Sequence, residues 1–259
     1  MSIMDRLKGN KLNQLLQKWP PGAVAPTRWL STRGISKQLL DRYEEYNWIT
    51  RIAKGVVMRT GDVLTWQGIV FSLETLQGLP VWVGGKSALQ LKGLMHYLSM
   101  KEIPIVSLYS STQHRLPKWV FEQEKVARFQ FQQTKLFSDK VSHIGFTTID
   151  MEKLKITLSS PERAILELLE GVPQKQTFEE AKLIFENLTT LRANMVQSLL
   201  EQCTSIKAKR LFLYFAEECG HSWFSKLNPS KIDLGKGKRA IVSEGCLNTK
   251  YQILVPRAA

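Results

Sequence analysis

Several short groupings in the chain combine residue types that do chemistry. Gly84, Gly85, Lys86 and Ser87 lie between an apolar stretch, Val81 to Val83, and a helical pattern of Leu89, Leu91, Leu94 and Leu98. They share the end of a phosphate-binding loop, but the full loop needs a glycine five residues before Gly85, and Pro80 stands there. The run is read as a tight strand-to-helix turn. Cys219 and His221 form one close pair of possible metal ligands, with Cys203 and Cys246 far away. Zinc sites pair such spacings, so no metal is expected and the cysteines are read as buried free thiols. Glu180 and Lys182 have the E-x-K spacing of metal-dependent nucleases, but residues two apart on a helix diverge. They are read as a solvated helix face. His96, His114, His143 and His221 have no serine or cysteine partner by spacing. Gly235, Lys236, Gly237, Lys238 and Arg239 form a basic loop, read as an exposed turn. No catalytic residue and no cofactor is therefore expected.

The remaining chemistry is charge. The 259 residues carry a net +13, with 43% hydrophobic and 23% charged residues, a composition that excludes wholesale disorder. The longest apolar run, Leu211 to Ala216, is far below the roughly 20 residues of a membrane-spanning helix. The first ten residues show no apolar signal region. Three widely spaced cysteines make no disulfide framework, so a cytoplasmic protein is expected. Residues 1–60 hold 11 bases against 4 acids, over half of the net charge in less than a quarter of the chain. Such segregation points to a polyanionic partner.

The elements that position those bases are readable. Leu12, Leu15, Leu16 and Trp19 share one helix face, stopped by Pro20, Pro21 and Gly22. Pro26 suits the first turn of a short helix through Trp29 and Leu30, ended by Gly34. Ser36 is a good N-cap, with Ile35 and Leu40 at the hydrophobic-staple positions. The helix it opens reaches about Tyr46. Leu39, Leu40 and Tyr43 face inward, and Lys37, Gln38, Asp41 and Arg42 face outward. Two β-rich pieces follow, Trp48 to Ile52 and Val56 to Thr60, joined by Ala53, Lys54 and Gly55 as a three-residue loop. This order is that of a winged helix-turn-helix. Its third helix would enter a DNA major groove, and Arg51, Lys54 and Arg59 of the hairpin would lie near phosphates.

Beyond Gly61, Val63, Trp66, Val70 and Leu73 share a helical face. Strands are expected at Val81–Val83, Ile103–Tyr109, Trp119–Phe121, Lys125–Phe131 and Lys153–Leu158. Helices are expected over 161–170, 177–188, 190–202 and 206–219, then a hairpin of Arg239–Ser243 with Tyr251–Val255. The fold class is α+β: an N-terminal winged helix over residues 1–80 and a larger mixed domain over 81–259, with a soft boundary in 78–85.

The N-terminal module, then VWVGGKSALQLKGLMHYL (81–98), LSSPERAILELLEG (158–171), the glycine-basic hairpin and KYQILVP (250–256) resemble, in that order, the AbiEi family. The resemblance implies an antitoxin and transcriptional regulator of a bacterial type IV toxin–antitoxin system, associated with abortive phage infection. It implies that the winged helix binds inverted repeats in double-stranded promoter DNA of its own operon as an autorepressor. It also implies that the larger domain antagonises a nucleotidyltransferase-type toxin, without needing a stable complex. Carried over, the DNA-facing surface falls on Arg28, Arg33, Ser36, Lys37, Gln38, Arg42, Arg51, Lys54 and Arg59. Ser159, Pro161, Glu162 and Arg163 match the family's helix start, and Arg163 either pairs within the domain or lines an antitoxin surface. Two other readings stand beside this one: a nucleic-acid-processing enzyme that holds substrate with its winged helix, and a ligand-sensing repressor. No membrane partner is expected.

Overall fold

The computed structural model describes residues 14–95, 103–138, 143–151 and 154–257. Leu12, His96, Leu98 and Lys153 of the patterns above lie outside the described residues. The first module opens with α1, described from residue 14 to 18. There follow β1 (Ala25–Pro26), α2 (Thr27–Ser31), α3 (Lys37–Glu45), β2 (Ile49–Ala53) and β3 (Val56–Arg59), with strand order β1-β3-β2. Leu15, Trp19, Trp29, Leu30, Ile35, Leu40 and Tyr43 form its core. Ser36 caps α3, its hydroxyl accepting from the Leu39 amide at 3.2 Å.

Two details of this module differ from expectation. Pro26 is not inside α2 but extended before it, opposite Val56 in the sheet. Its fixed φ suits a strand end as well as a helical first turn. The wing loop is Lys54 and Gly55 alone, because Ala53 pairs with Val56 across a bulge after Arg51. Gly55 takes φ +78°, which lets two residues reverse the chain.

The larger part is built on a five-stranded sheet of order β6-β5-β4-β8-β7. Its strands are β4 (Trp82–Val83), β5 (Ile105–Ser110), β6 (Arg128–Gln133), β7 (Phe146–Met151) and β8 (Leu154–Ser159). One face, with Val83, Val106, Leu108, Phe129, Ile156 and Leu158, packs on α4 (Trp66–Phe71) and α6 (Lys118–Phe121). Val24 and Val56 of the first module join this same core, so the module is seated on the sheet through α4. The α4 helix runs on into a π-helical turn, Ser72–Leu76, where the Glu74 carboxylate accepts from the Thr157 amide at 3.1 Å and from its hydroxyl. The other face carries α5 (Gly85–Leu91), α7 (Pro161–Glu170), α8 (Phe178–Glu186), α9 (Ala193–Gln202) and α10 (Ile206–Glu218), around Phe185, Phe212 and Phe215.

The four C-terminal helices fall where their periodicity placed them, while three other expectations are corrected. Val63 is 74% exposed, and the helix starts instead at Trp66, capped by Thr65. Trp119–Phe121 is helical, set by Pro117 at its start, because three apolar residues carry no periodicity to separate strand from helix. The tail is not a hairpin. β9 (Arg239–Ala240) pairs parallel to β11 (Ile253–Val255), and β10 (Cys246–Asn248) supplies the antiparallel neighbour. Arg210 organises the tail by donating to the carbonyls of Leu234 (2.7 Å), Gly237 (2.6 Å), Gly235 (3.1 Å) and Gln252 (3.1 Å). The glycine-basic loop is thus strapped to α10 by one guanidinium. Sequence reading also missed β7, whose polar Thr147, Thr148 and Asp150 hide a strand signal.

Candidate nucleic-acid interface

The exposed face of α3 presents Lys37, Gln38 and Arg42, with Ser36 just ahead of the helix. Lys54 sits exposed at the tip of the wing, and Arg28 is exposed on α2. None of Arg28, Lys37, Arg42 and Lys54 has an ion pair among the described residues. Arg33 is exposed but held. Its guanidinium stacks 3.8 Å over the Trp29 ring and donates to the Trp29 carbonyl at 3.2 Å.

Two basic residues are engaged inside the module. Arg51 donates to Glu44 at 2.6 Å and lies 3.7 Å from Asp41, which ties the wing to α3. The hydrogen bond to Glu44 raises its pKa further. Arg59 donates to the Trp19 carbonyl at 3.3 Å and lies 4.0 Å from Asp62, facing the base of the module. The α3 helix carries two bases against three acids, Asp41, Glu44 and Glu45. Arg51 therefore masks two of the carboxylates nearest the wing. The structure also brings out two residues the sequence reading did not single out: Tyr46 (66% exposed) and Trp48 (48%), in a tilted ring contact 5.8 Å apart at the end of α3. The available signal was two aromatics at a helix–strand junction, where a core needs neither.

The second candidate group lies at the start of α7. Ser160 takes the N-cap position and Pro161 the first turn. Glu162 is buried and accepts from the Arg192 amide (3.1 Å), Nε (2.9 Å) and Nη2 (3.0 Å), pinning the start of α9 to that of α7. Burial alone raises the carboxyl pKa, but the bonds from Arg192 outweigh it and hold Glu162 below its ordinary value. A depressed carboxylate stabilises fully above its unfolded pKa of about 4, and that contribution disappears as pH falls through the folded value. Urea midpoints of the wild type should therefore fall toward those of Glu162→Gln as pH drops below about 4, while the wild type leads near pH 7. A gap between the two that stays constant with pH would contradict this role.

Arg163 pairs within the domain. It is 1% exposed, donates to Glu167 at 3.0 Å and to the Ile144 carbonyl at 2.7 Å, and lies over the rings of Phe146 and Phe137. Glu167 also accepts from Trp82 Nε1 (3.0 Å), the Gly85 amide (2.9 Å) and the Ser159 hydroxyl (2.8 Å). This carboxylate and the Tyr109 ring explain the glycine pair. A Cβ on Gly84 would fall 2.3 Å from Glu167 Oε2, and one on Gly85 would meet the Tyr109 hydroxyl at 2.6 Å. The turn from β4 to α5 wraps a buried carboxylate of its own chain.

The other groupings have internal partners or stand alone. Glu180 pairs with Lys86. His221 is buried, bonded to the Phe185 carbonyl at 2.9 Å and stacked on Trp223. Cys203 is buried, and burial pushes its thiol up to about 12. Cys246 is exposed, contrary to the buried-thiol expectation, because it lies on the outer strand of the tail sheet. Among the described residues no three His, Cys, Asp or Glu side chains are placed to hold a metal ion. No described helix is long and apolar enough to cross a membrane.

A capped helix presented beside a two-stranded wing, seated on a larger α+β domain, defines a winged-helix protein by its fold. Two family models cover nearly the whole chain. The AbiEi antitoxin N-terminal domain, described as a transcriptional regulator, matches residues 8–100. The transcriptional regulator AbiEi antitoxin of type IV toxin–antitoxin systems matches residues 104–256. The chain belongs to the AbiEi antitoxin family of transcriptional regulators. A solved structure, the Rv2827c protein of Mycobacterium tuberculosis, is similar in fold, with TM-score 0.57 and 12% identity over 90% of this chain and 86% of that one. No curated protein matches the chain in sequence.

Proposed function

We propose that the protein is an antitoxin that represses its own operon by binding inverted repeats in the promoter, and that it antagonises a nucleotidyltransferase-type toxin. The observation that carries the DNA half is that the exposed cations of α3 and the wing tip, Lys37, Arg42 and Lys54, have no ion pairs among the described residues. In this reading the N-terminal end of α3 enters the major groove. Ser36, Lys37 and Gln38 then meet base edges, and Arg42, Lys54 and Arg28 meet phosphates on either side. The module spans residues 1–80 and the antitoxin domain 81–259. The regulatory character of the family supports a protein without catalysis of its own. The antitoxin half rests on family membership.

The direct test is fluorescence anisotropy with the DNA upstream of its own reading frame. Binding should be about a thousandfold tighter than to a scrambled duplex at equal salt. Equal affinity for both would exclude operator recognition. A second arm concerns Arg51. Glu44→Gln removes one of its two carboxylate partners, so the freed guanidinium adds a cation to the wing. Affinity for DNA should then rise severalfold and the salt slope should steepen by up to about 0.9. An unchanged slope would show that Arg51 does not face the phosphates.

A further inference from the structure

The five-stranded sheet ends on one side at β6, which pairs only with β5 among the described strands. That pairing is parallel, and its register is unbroken from Arg128 to Gln133. At one end the Arg128 amide donates to the Pro104 carbonyl, and just past the other the Thr134 amide donates to the Ser110 carbonyl, both at 2.9 Å. Successive residues of a strand turn their main-chain N–H and C=O groups to opposite sides, so the even-numbered residues serve β5. The main-chain groups of Phe129, Phe131 and Gln133 therefore point outward, where no described strand meets them.

An open edge is a template for another strand, and proteins ordinarily blunt it with charge, proline, a bulge or a cover. At the opposite edge of the sheet β7 does so, exposing Thr148 and Asp150. The β6 edge is different. Its sequence is Arg-Phe-Gln-Phe-Gln-Gln, without proline or bulge, and its single charge stands at the first position. Phe129 is buried and Phe131 half-buried in the core on one face of the sheet, which holds the strand straight and extended. What remains along the edge is neutral backbone flanked by amide and aromatic side chains, the composition that favours strand-to-strand pairing.

We infer that β6 pairs antiparallel with β6 of a second copy of this chain, closing a two-fold dimer whose sheet runs through both copies. The occupant follows from self-complementarity. Only one antiparallel register joins all three outward residues as hydrogen-bonded pairs. It sets Phe131 opposite the partner's Phe131 on the two-fold axis and Phe129 opposite the partner's Gln133, for about six main-chain hydrogen bonds. The same register sets Gln130 opposite the partner's Gln132, and Arg128 opposite the partner's Thr134. No like charges meet, and the phenylalanines on the axis form a cross-strand aromatic pair. Pairing β6 with β6 closes after two copies, whereas β6 on a β7 edge would continue into a fibre. One strand pair buries less than the roughly 1,200 Å² of a stable complex, so the dimer is weak. The contact is made by the sheet domain and does not rest on DNA binding by the winged helix.

Sedimentation equilibrium on the full chain, without DNA, tests this. The mass should rise from monomer toward dimer with a Kd of about 10–100 μM. Gln130→Lys with Gln132→Lys sets lysine opposite lysine twice across the axis and should weaken association at least about tenfold (roughly 1.4 kcal/mol). Gln130→Lys with Gln132→Glu sets lysine opposite glutamate at the same places and should keep association within about threefold of wild type. Gln132 accepts from Lys175, so circular dichroism checks that both variants fold. Amide hydrogen exchange on the wild type reads the strand directly. The Phe129, Phe131 and Gln133 amides should slow as concentration rises through the Kd, and those of Gln130 and Gln132 should not change. A chain that stays monomeric to about 300 μM overturns the proposal and leaves the edge to an extended segment of another protein. So does association indifferent to both charge variants, or association that protects none of the three outward amides.

Discussion

Glu167→Ala is expected to lower the stability of the protein by about 3–5 kcal/mol, the cost of breaking a buried ion pair from one side. Arg163 would be left charged under three aromatic rings, since a guanidinium does not deprotonate in a protein. The Trp82 indole, the Gly85 amide and the Ser159 hydroxyl would lose their acceptor at the same time. A domain of ordinary stability has only about 5–15 kcal/mol in total, so the variant should melt at least 6 °C lower, at roughly 2–4 °C per kcal/mol. Removing both charges should be milder. An Arg163→Met, Glu167→Met double variant leaves donors unpaired but no bare ion, and should lose less than Glu167→Ala or Arg163→Met alone. Urea unfolding followed by circular dichroism reads all three. Single variants within about 1 kcal/mol of wild type would show that the pair does not hold the domain together.

The second large effect concerns DNA. The triple substitution Lys37→Ala, Arg42→Ala, Lys54→Ala should weaken operator binding by about two to three orders of magnitude near 0.1 M salt. The slope of log affinity against log salt should fall by about 0.9 for each phosphate left without its cation, so by close to two units with Arg42 and Lys54 on phosphates and Lys37 at a base edge. A residue that instead reads a base should relax sequence preference with little change in slope. Substituting Lys226 and Lys231, exposed on the far helical part, should change affinity by less than about twofold, because screening limits their reach. Retention of affinity and slope in the triple variant would remove α3 and the wing from the interface. Arg51→Ala should weaken binding as well, by uncovering Asp41 and Glu44 beside the groove. Its signature differs from that of the triple, since it adds repulsion instead of removing a cation from a phosphate.

The winged helix was legible because each of its signals is local. The proline pair after Trp19, the Ser36 cap, the glycine that ends α2 and the Lys54-Gly55 turn each act within a few residues of themselves. The C-terminal helices were legible for the same reason: their apolar spacing repeats over nine or more residues. Short segments were not. A two-residue strand such as β4, or a single helical turn such as α6, holds too few residues for a period to show.

Sequence by itself determined the capped helix, the basic bias of the first sixty residues and the order of elements that marks the family. It could not determine which cations are free. Arg51 and Lys54 lie three residues apart on one hairpin, yet one is paired across seven residues to Glu44 and the other is open to solvent. Nor could it show why Gly84 and Gly85 are glycines, or that Arg163 is buried, because the causes are Glu167, more than eighty residues from the glycines along the chain, and Tyr109 against Gly85. A glutamate on a helix reads as a solvated group until the tertiary fold closes a β-strand, an indole and a turn around it. Desolvation decides its role, and desolvation is a property of the packed sheet and helices together.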